Sequence, residues 1–205
     1  MKSSSNTKTV IEAAAYLQRL TSETNYMKLI KLLYFADRYH LRHYCFLFTE
    51  DDYRAMKLGP VGSQTKDILT LNDFYIYNLS EEEQQTIKDS VSLVGQYKIK
   101  VKSDSTRNLS KSAIEALDFS VSNFGEFDTF LLSDITHDYP EWHRYAKDFA
   151  ARTVNSIEIH PEDMFDNPAT DAPYIAKYLK GLDPFKDDTV FLKSMKQIYL
   201  YGDIA

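Results

Sequence analysis

A predominantly helical α+β domain, built around one long central helix with a small antiparallel β-sheet, is the fold the sequence predicts. Between Met27 and Tyr44 the cations Lys28, Lys31, Arg38 and Arg42 recur at helical spacing, with Ile30, Leu33, Leu41 and Tyr44 on the opposite face. Short strand-like runs follow at residues 46–48, 53–58 and 97–101, set apart by polar or Gly-Pro turn signals. Hydrophobic residues make up 43% of the 205 and aromatics 14%, enough for a packed core and against general disorder.

Each element has its own signal. After a flexible tail over residues 1–9, Thr9 with Glu12 reads as a capping box opening a helix through Val10, Ala14, Leu17 and Leu20. Thr24 is positioned to cap the long helix. Within that helix Asp37 falls on the apolar face, where a carboxylate is costly unless something pairs with it. Asp37 is therefore expected to be buried against Arg54, Lys57, His40 or nearby backbone N–H groups. The cationic stripe opposite reads as a solvated face. Phe46, Leu47 and Phe48 and the run from Tyr53 to Leu58 flank Thr49-Glu50-Asp51-Asp52, which predicts a hairpin with a polar connection. Gly59-Pro60-Val61 then makes a fixed turn into a helix reaching Leu71.

Further on, Ser80 and the acids Glu81, Glu82 and Glu83 form a capping box with negative charge at the positive end of a helix dipole. Tyr97 to Val101 alternates apolar and basic residues, as a half-buried strand does. Ser112 and Glu115 read as the cap of a helix through Ile114, Leu117 and Val121, which Asn123 to Gly125 stops. Helix resumes from Phe127 to Ile135, and Pro140 opens another carrying Trp142 and Tyr145. Beyond Asn167-Pro168, the residues Pro173, Gly181 and Pro184 mark connectors. The run from Asp187 to Tyr201 is an amphipathic helix expected to dock on the core, since about 39 residues rarely support a core of their own.

The chemistry-bearing residues do not assemble a catalytic site. Asp37 and His40 lie one turn apart and His137 adjoins Asp138, so a two-His, one-carboxylate metal site is conceivable, yet His137 and His143 lack tight ligand spacing. Satisfied core polar groups are the favoured reading, and neither metal nor cofactor is expected. Cys45, the single cysteine, ends a helix, where the dipole does not favour its thiolate. No GxSxG elbow serves the serines, and Gly59-Pro60-Val61-Gly62 lacks the Gly-Lys-Ser/Thr ending of a phosphate loop. With a net charge of −6 the chain is not expected to bind nucleic acid directly, although an acidic protein can meet a basic partner by electrostatic steering. About nine residues precede the first helix, too few for a helix-turn-helix. A single cysteine, a polar start and no apolar run of about 18–20 residues make a cytoplasmic protein the expectation, with no membrane span.

The same stretch carries a family resemblance. The sequence K-L-I-K-L-L-Y-F-A-D-R-Y-H-L from Lys28 to Leu41, followed by Y-R-A-M-K-L-G-P-V from Tyr53 to Val61, resembles the signature of the Panacea domain, the SocA-like and GepA-like antitoxin domain of bacteria and their phages. A third block fits at the right distance: Leu109-Ser110-Lys111-Ser112, then Ile135-Thr136-His137 and Trp142. A weaker echo follows at Ser156-Ile157 and Glu162 to Phe165. The family's usual Tyr-Gly after the long helix is replaced by Tyr44-Cys45.

The resemblance implies Asp37, His40, Tyr53, Met56, Lys57, Gly59, Pro60, Val61, His137 and Trp142 as structural signature residues, with His137 and Trp142 packed beside the long helix. It implies an antitoxin of a toxin–antitoxin or phage-defence system, not an enzyme, that captures a cognate protein toxin encoded beside it. Toxins paired with such domains have unrelated folds, so the domain does not name its toxin. The alternatives are an adaptor that delivers the toxin to a Clp-type protease, and a mobile-element enzyme of unknown activity. The domain is expected over residues 10–166 with a helical extension over 167–205. Toxin contacts are expected around Phe46, Phe48, Glu50, Asp51, Asp52, Tyr53 and Arg54, with the C-terminal helix as the other surface for toxin contact or a homo-oligomer.

Overall fold

The computed structural model describes residues 5–180 and 183–202, so residues 1–4 of the expected tail and the connector Gly181 lie outside the described residues. Helix occupies 57% of the described residues, with a three-stranded and a two-stranded antiparallel sheet, so the fold is α+β and mostly helical.

The long helix, α2 (Tyr26–Tyr44), is the axis of the molecule. Asn25, one residue past the expected Thr24, caps it by accepting a hydrogen bond from Met27 N at 2.9 Å. Helices α1 (Ser5–Thr21), α6 (Lys111–Phe124), α7 (Thr129–Thr136) and α11 (Thr189–Tyr201), strand β2 (Gly59–Gly62) and a 3-10 turn at Pro161–Phe165 pack against it from several sides. Every residue from Leu29 to Arg38 is buried. The expected solvated stripe is therefore corrected: Lys31, Arg38 and Arg42 are buried, and of the four cations only Lys28 stays partly open, beside Glu23. Phe35 at the centre stacks on Phe124 at 3.8 Å, and the Ser120 hydroxyl donates to Leu32 O, drawing α6 close.

Strand β1 (Tyr53–Met56) lies between β2 and β5 (Ser156–Glu158), with Met56 opposite Gly59 and Tyr53 opposite Gly62. The hairpin thus forms with the residues after β1, not before it, and residues 46–48 are a turn, not the expected strand. The reason is the exit from α2. Cys45 adopts the left-handed conformation, φ 62°, with its N–H bonded to Leu41 O, and this turns the chain back over the end of α2. Leu47 and Phe48 then fold into the core. Pro60 is tolerated because β2 is an edge strand.

Strand β4 (Ile99–Val101) falls within the expected run 97–101 but pairs with β3 (Val91–Leu93) in a separate ribbon. The tail also needs correction: α1 begins at Ser5, and Asn6, Thr7 and Thr9 are buried. Glu12 is no cap partner of Thr9; its carboxylate accepts from the Asn108 backbone and side-chain N–H groups, both at 2.8 Å. Ser110, not Ser112, caps α6. The remaining helices are α3 (Ser63–Leu69), α4 (Asp73–Tyr77), α5 (Glu81–Ser90), α8 (Pro140–His143), α9 (Ala146–Ala150) and α10 (Pro173–Tyr178). Among the described residues no helix is long and apolar enough to cross a membrane.

Candidate functional site

Asp37 is fully buried, and hydroxyl and backbone donors hold it. Thr49 N–H donates to Oδ1 at 3.2 Å, while the Thr49 hydroxyl and the Tyr53 hydroxyl, the latter at 2.9 Å, donate to Oδ2. Of the expected partners only the backbone N–H class appears. Arg54 instead bonds Ser156 Oγ at 2.6 Å, and Lys57 is exposed. His40 faces away: its ring nitrogens meet Phe46 O at 2.8 Å and Ser112 Oγ at 2.9 Å. Asp37 and His40 therefore do not converge. Among the described residues no group of three His, Cys, Asp or Glu stands together as a metal site.

With no cation at hand, burial pushes the Asp37 carboxyl up to about 7, against the pull of the Thr49 and Tyr53 hydrogen bonds. The folded chain then keeps a proton that the unfolded chain releases near 4. The contribution of Asp37 to stability is full below that point and is lost as pH rises to about 7. Relative to Asp37→Asn, the wild-type protein is expected to lose about 3 kcal/mol between pH 4.5 and 7.5. Urea unfolding of both proteins at the two pH values reads this difference; a constant gap would contradict it.

The two arginines are spent inside the fold. Arg38 Nε donates to Glu141 Oε1 at 2.8 Å, and Tyr34 donates to the same oxygen at 2.5 Å, with all three side chains buried. Its guanidinium also lies 4.4 Å from the Tyr139 ring centre and 4.7 Å from that of Phe185. Arg42 reaches the carbonyls of Met164, Phe165, Asp166 and Phe185, together with Asn167 Oδ1 and Asp187 Oδ2. Planar multi-donor geometry suits Arg to this work, where Lys would offer one charged point.

A second cluster fixes the hairpin to α2 and α7. The buried Lys31 ammonium donates to Pro60 O at 2.9 Å, and burial lowers its pKa to about 7. Gly59 has φ +98°, and a Cβ there would collide with Thr136 Oγ1 and lie 2.6 Å from Lys31 Nζ. Val61 is half-buried on the same strand. His137 stacks on Trp142 at 3.7 Å, and Trp142, 7% exposed, donates to Met56 O at 2.8 Å. Burial and the nearby Lys31 charge bring His137 down to about 4.

The expected toxin-contact residues divide. Phe46, 52% exposed, and Glu50 and Asp52 lie at the surface, with Arg54 half-buried. Phe48, Asp51 and Tyr53 do not: each is buried, which corrects their assignment as surface contacts. Phe48 packs near the His40 ring, Tyr53 holds Asp37, and Asp51 accepts from Gln64 N and Thr65 N to start α3. Sequence reasoning missed Glu141, Tyr34 and the interior roles of Lys31, Arg38 and Arg42. One signal was present: Leu29, Leu32, Phe35 and Ala36 leave no side of α2 free of apolar residues, as in a buried helix.

Against known families, a model described as "Antitoxin SocA-like, Panacea domain" matches residues 29–143. The chain belongs to this family. No curated protein and no solved structure matches it. The Panacea match opens in α2, runs through the hairpin and closes in α8, so it contains Asp37, Arg38, Arg42, Gly59 and Glu141. The Panacea domain here places a toxin–antitoxin role, and hence a toxin partner, on this chain.

Proposed function

We propose that this protein neutralises a cognate protein toxin, encoded beside it and acting in the same cytoplasm, by binding it directly. The family match carries the reading. What supports direct binding is how the polar residues of the matched region are used: the signature residues Asp37 and His40, and with them Lys31, Arg38 and Arg42, bond to groups of their own chain, so the matched sequence builds a scaffold. A scaffold leaves recognition to its outer surface. The exposed residues Phe46, Glu50 and Asp52, with half-buried Arg54, belong to that surface in this proposal. Residues 10–166 form the shared domain, and residues 167–205 are an extension that Arg42 fastens to α2.

Toxin lifetime tests the reading. Radiolabelled toxin, chased with and without the antitoxin in cells, is expected to keep the same half-life while growth is restored. A toxin half-life shortened severalfold by the antitoxin, and restored by deletion of the Clp-type protease, would replace direct neutralisation by proteolytic delivery.

A further inference from the structure

Helix α4 holds two aromatic side chains out into solvent. Phe74 is 84% exposed and Tyr77 82%, the highest values among the exposed large hydrophobic residues described. Spaced three apart, they share one side of the turn, while Ile76 and Tyr75 between them face inward. Their posture is braced. Asn72 caps the helix, Tyr75 O–H reaches Gln64 Oε1 at 3.4 Å, and Gln84 Nε2 donates to the carbonyls of Tyr77 and Leu79. The bracing fixes the backbone that presents the two rings, and large aromatic side chains offered from a fixed backbone are the commonest binding anchors.

The surroundings select the partner. Residues 67–89 hold six carboxylates and one lysine, a net of −5 in a chain whose total is −6. Two lysines stand at the rim, Lys8 on Glu82 at 2.8 Å and Lys66 beside Asp67 at 3.3 Å, and leave Asp73, Glu81, Glu83 and Asp89 in excess. The acidic zone continues toward the expected contact loop, because Gln64 bonds Tyr75 on one side and Asp52 on the other. A twofold contact of this face with itself would set acid against acid.

Resting on the toxin-binding reading above, we propose that Phe74 and Tyr77 are the anchor of the toxin-docking surface. The toxin covers them with an apolar recess rimmed by Lys and Arg.

The experiment is a calorimetric titration of the purified antitoxin with the purified product of the adjacent toxin gene. Phe74→Ser/Tyr77→Ser is compared with wild type and with Phe130→Ser, which removes another largely exposed ring (72%) from α7. The double variant is expected to unfold at the wild-type temperature and to bind at least about 50-fold more weakly, with the Phe130 variant unchanged. Wild-type affinity is expected to fall as salt rises from 50 to 500 mM. A loss under tenfold in the folded double variant, or an equal loss in the Phe130 variant, overturns the anchor. A salt-insensitive complex overturns the basic partner. If the substitutions dissolve an antitoxin dimer without touching toxin affinity, the occupant is a second copy and the proposal is wrong. If wild type itself does not bind, the toxin-binding reading fails first.

Discussion

Arg42→Met is expected to destabilise the fold by about 4 kcal/mol, a large fraction of the ~5–15 kcal/mol that holds a domain together. One fully buried guanidinium satisfies six acceptors, all between Met164 and Asp187. Methionine fills similar volume but leaves the Met164, Phe165 and Phe185 carbonyls without this donor, at about 1–3 kcal/mol for each buried group left unsatisfied. Some relax toward water, so the sum is not reached. Arg42→Lys restores only part, because an ammonium cannot span both groups of acceptors. Since every bond runs to residues 164–187, limited proteolysis should cut the chain there in Arg42→Met under conditions that leave wild type whole. A denaturation midpoint within about 1 kcal/mol of wild type would show that Arg42 merely fills space.

Gly59→Ala is the second severe change, with an expected cost of about 3 kcal/mol from a left-handed backbone angle and overpacking together. Gly59 sits where the hairpin touches both α2 and α7, and its missing side chain is what lets Thr136 and Lys31 approach. The two causes are separable. Adding Thr136→Ala removes the atom that the new Cβ meets first, so the double variant should recover about half the loss. The remainder, backbone strain together with the close approach to Lys31 Nζ, stays. Thermal unfolding of the single and double variants reads both parts; simple additivity of the two losses would contradict the proposed collision.

How much of this was legible follows from which interactions are local. The long helix, the capping box at Ser80 and the C-terminal helix were readable because spacing and end residues lie next to each other in the chain. Asp37 is legible as a buried carboxylate in an apolar context, and of its expected partners the backbone N–H class serves through Thr49, while the hydroxyls of Thr49 and Tyr53 take the place of the expected side chains of Arg54, Lys57 and His40. The cationic stripe reads as solvent-facing because periodicity shows which residues share a face and not what covers it. Glu141 lies 103 residues from Arg38, and the Arg42 acceptors are 122 or more away. The misplaced strand at residues 46–48 has a similar origin. Aromatic alternation there reflects Leu47 and Phe48 folding inward so that Thr49 can reach Asp37, a demand set by tertiary structure.

Neutralisation by direct binding, proposed above for this Panacea-domain protein, is tested most directly by titration of the wild-type antitoxin with the purified product of the adjacent toxin gene. The expected result is a stable complex with a dissociation constant of ~1 nM, about −12 kcal/mol, and loss of toxin activity in step with its formation. Toxin that stays fully active in the presence of folded antitoxin, with no complex at micromolar concentrations, would contradict it.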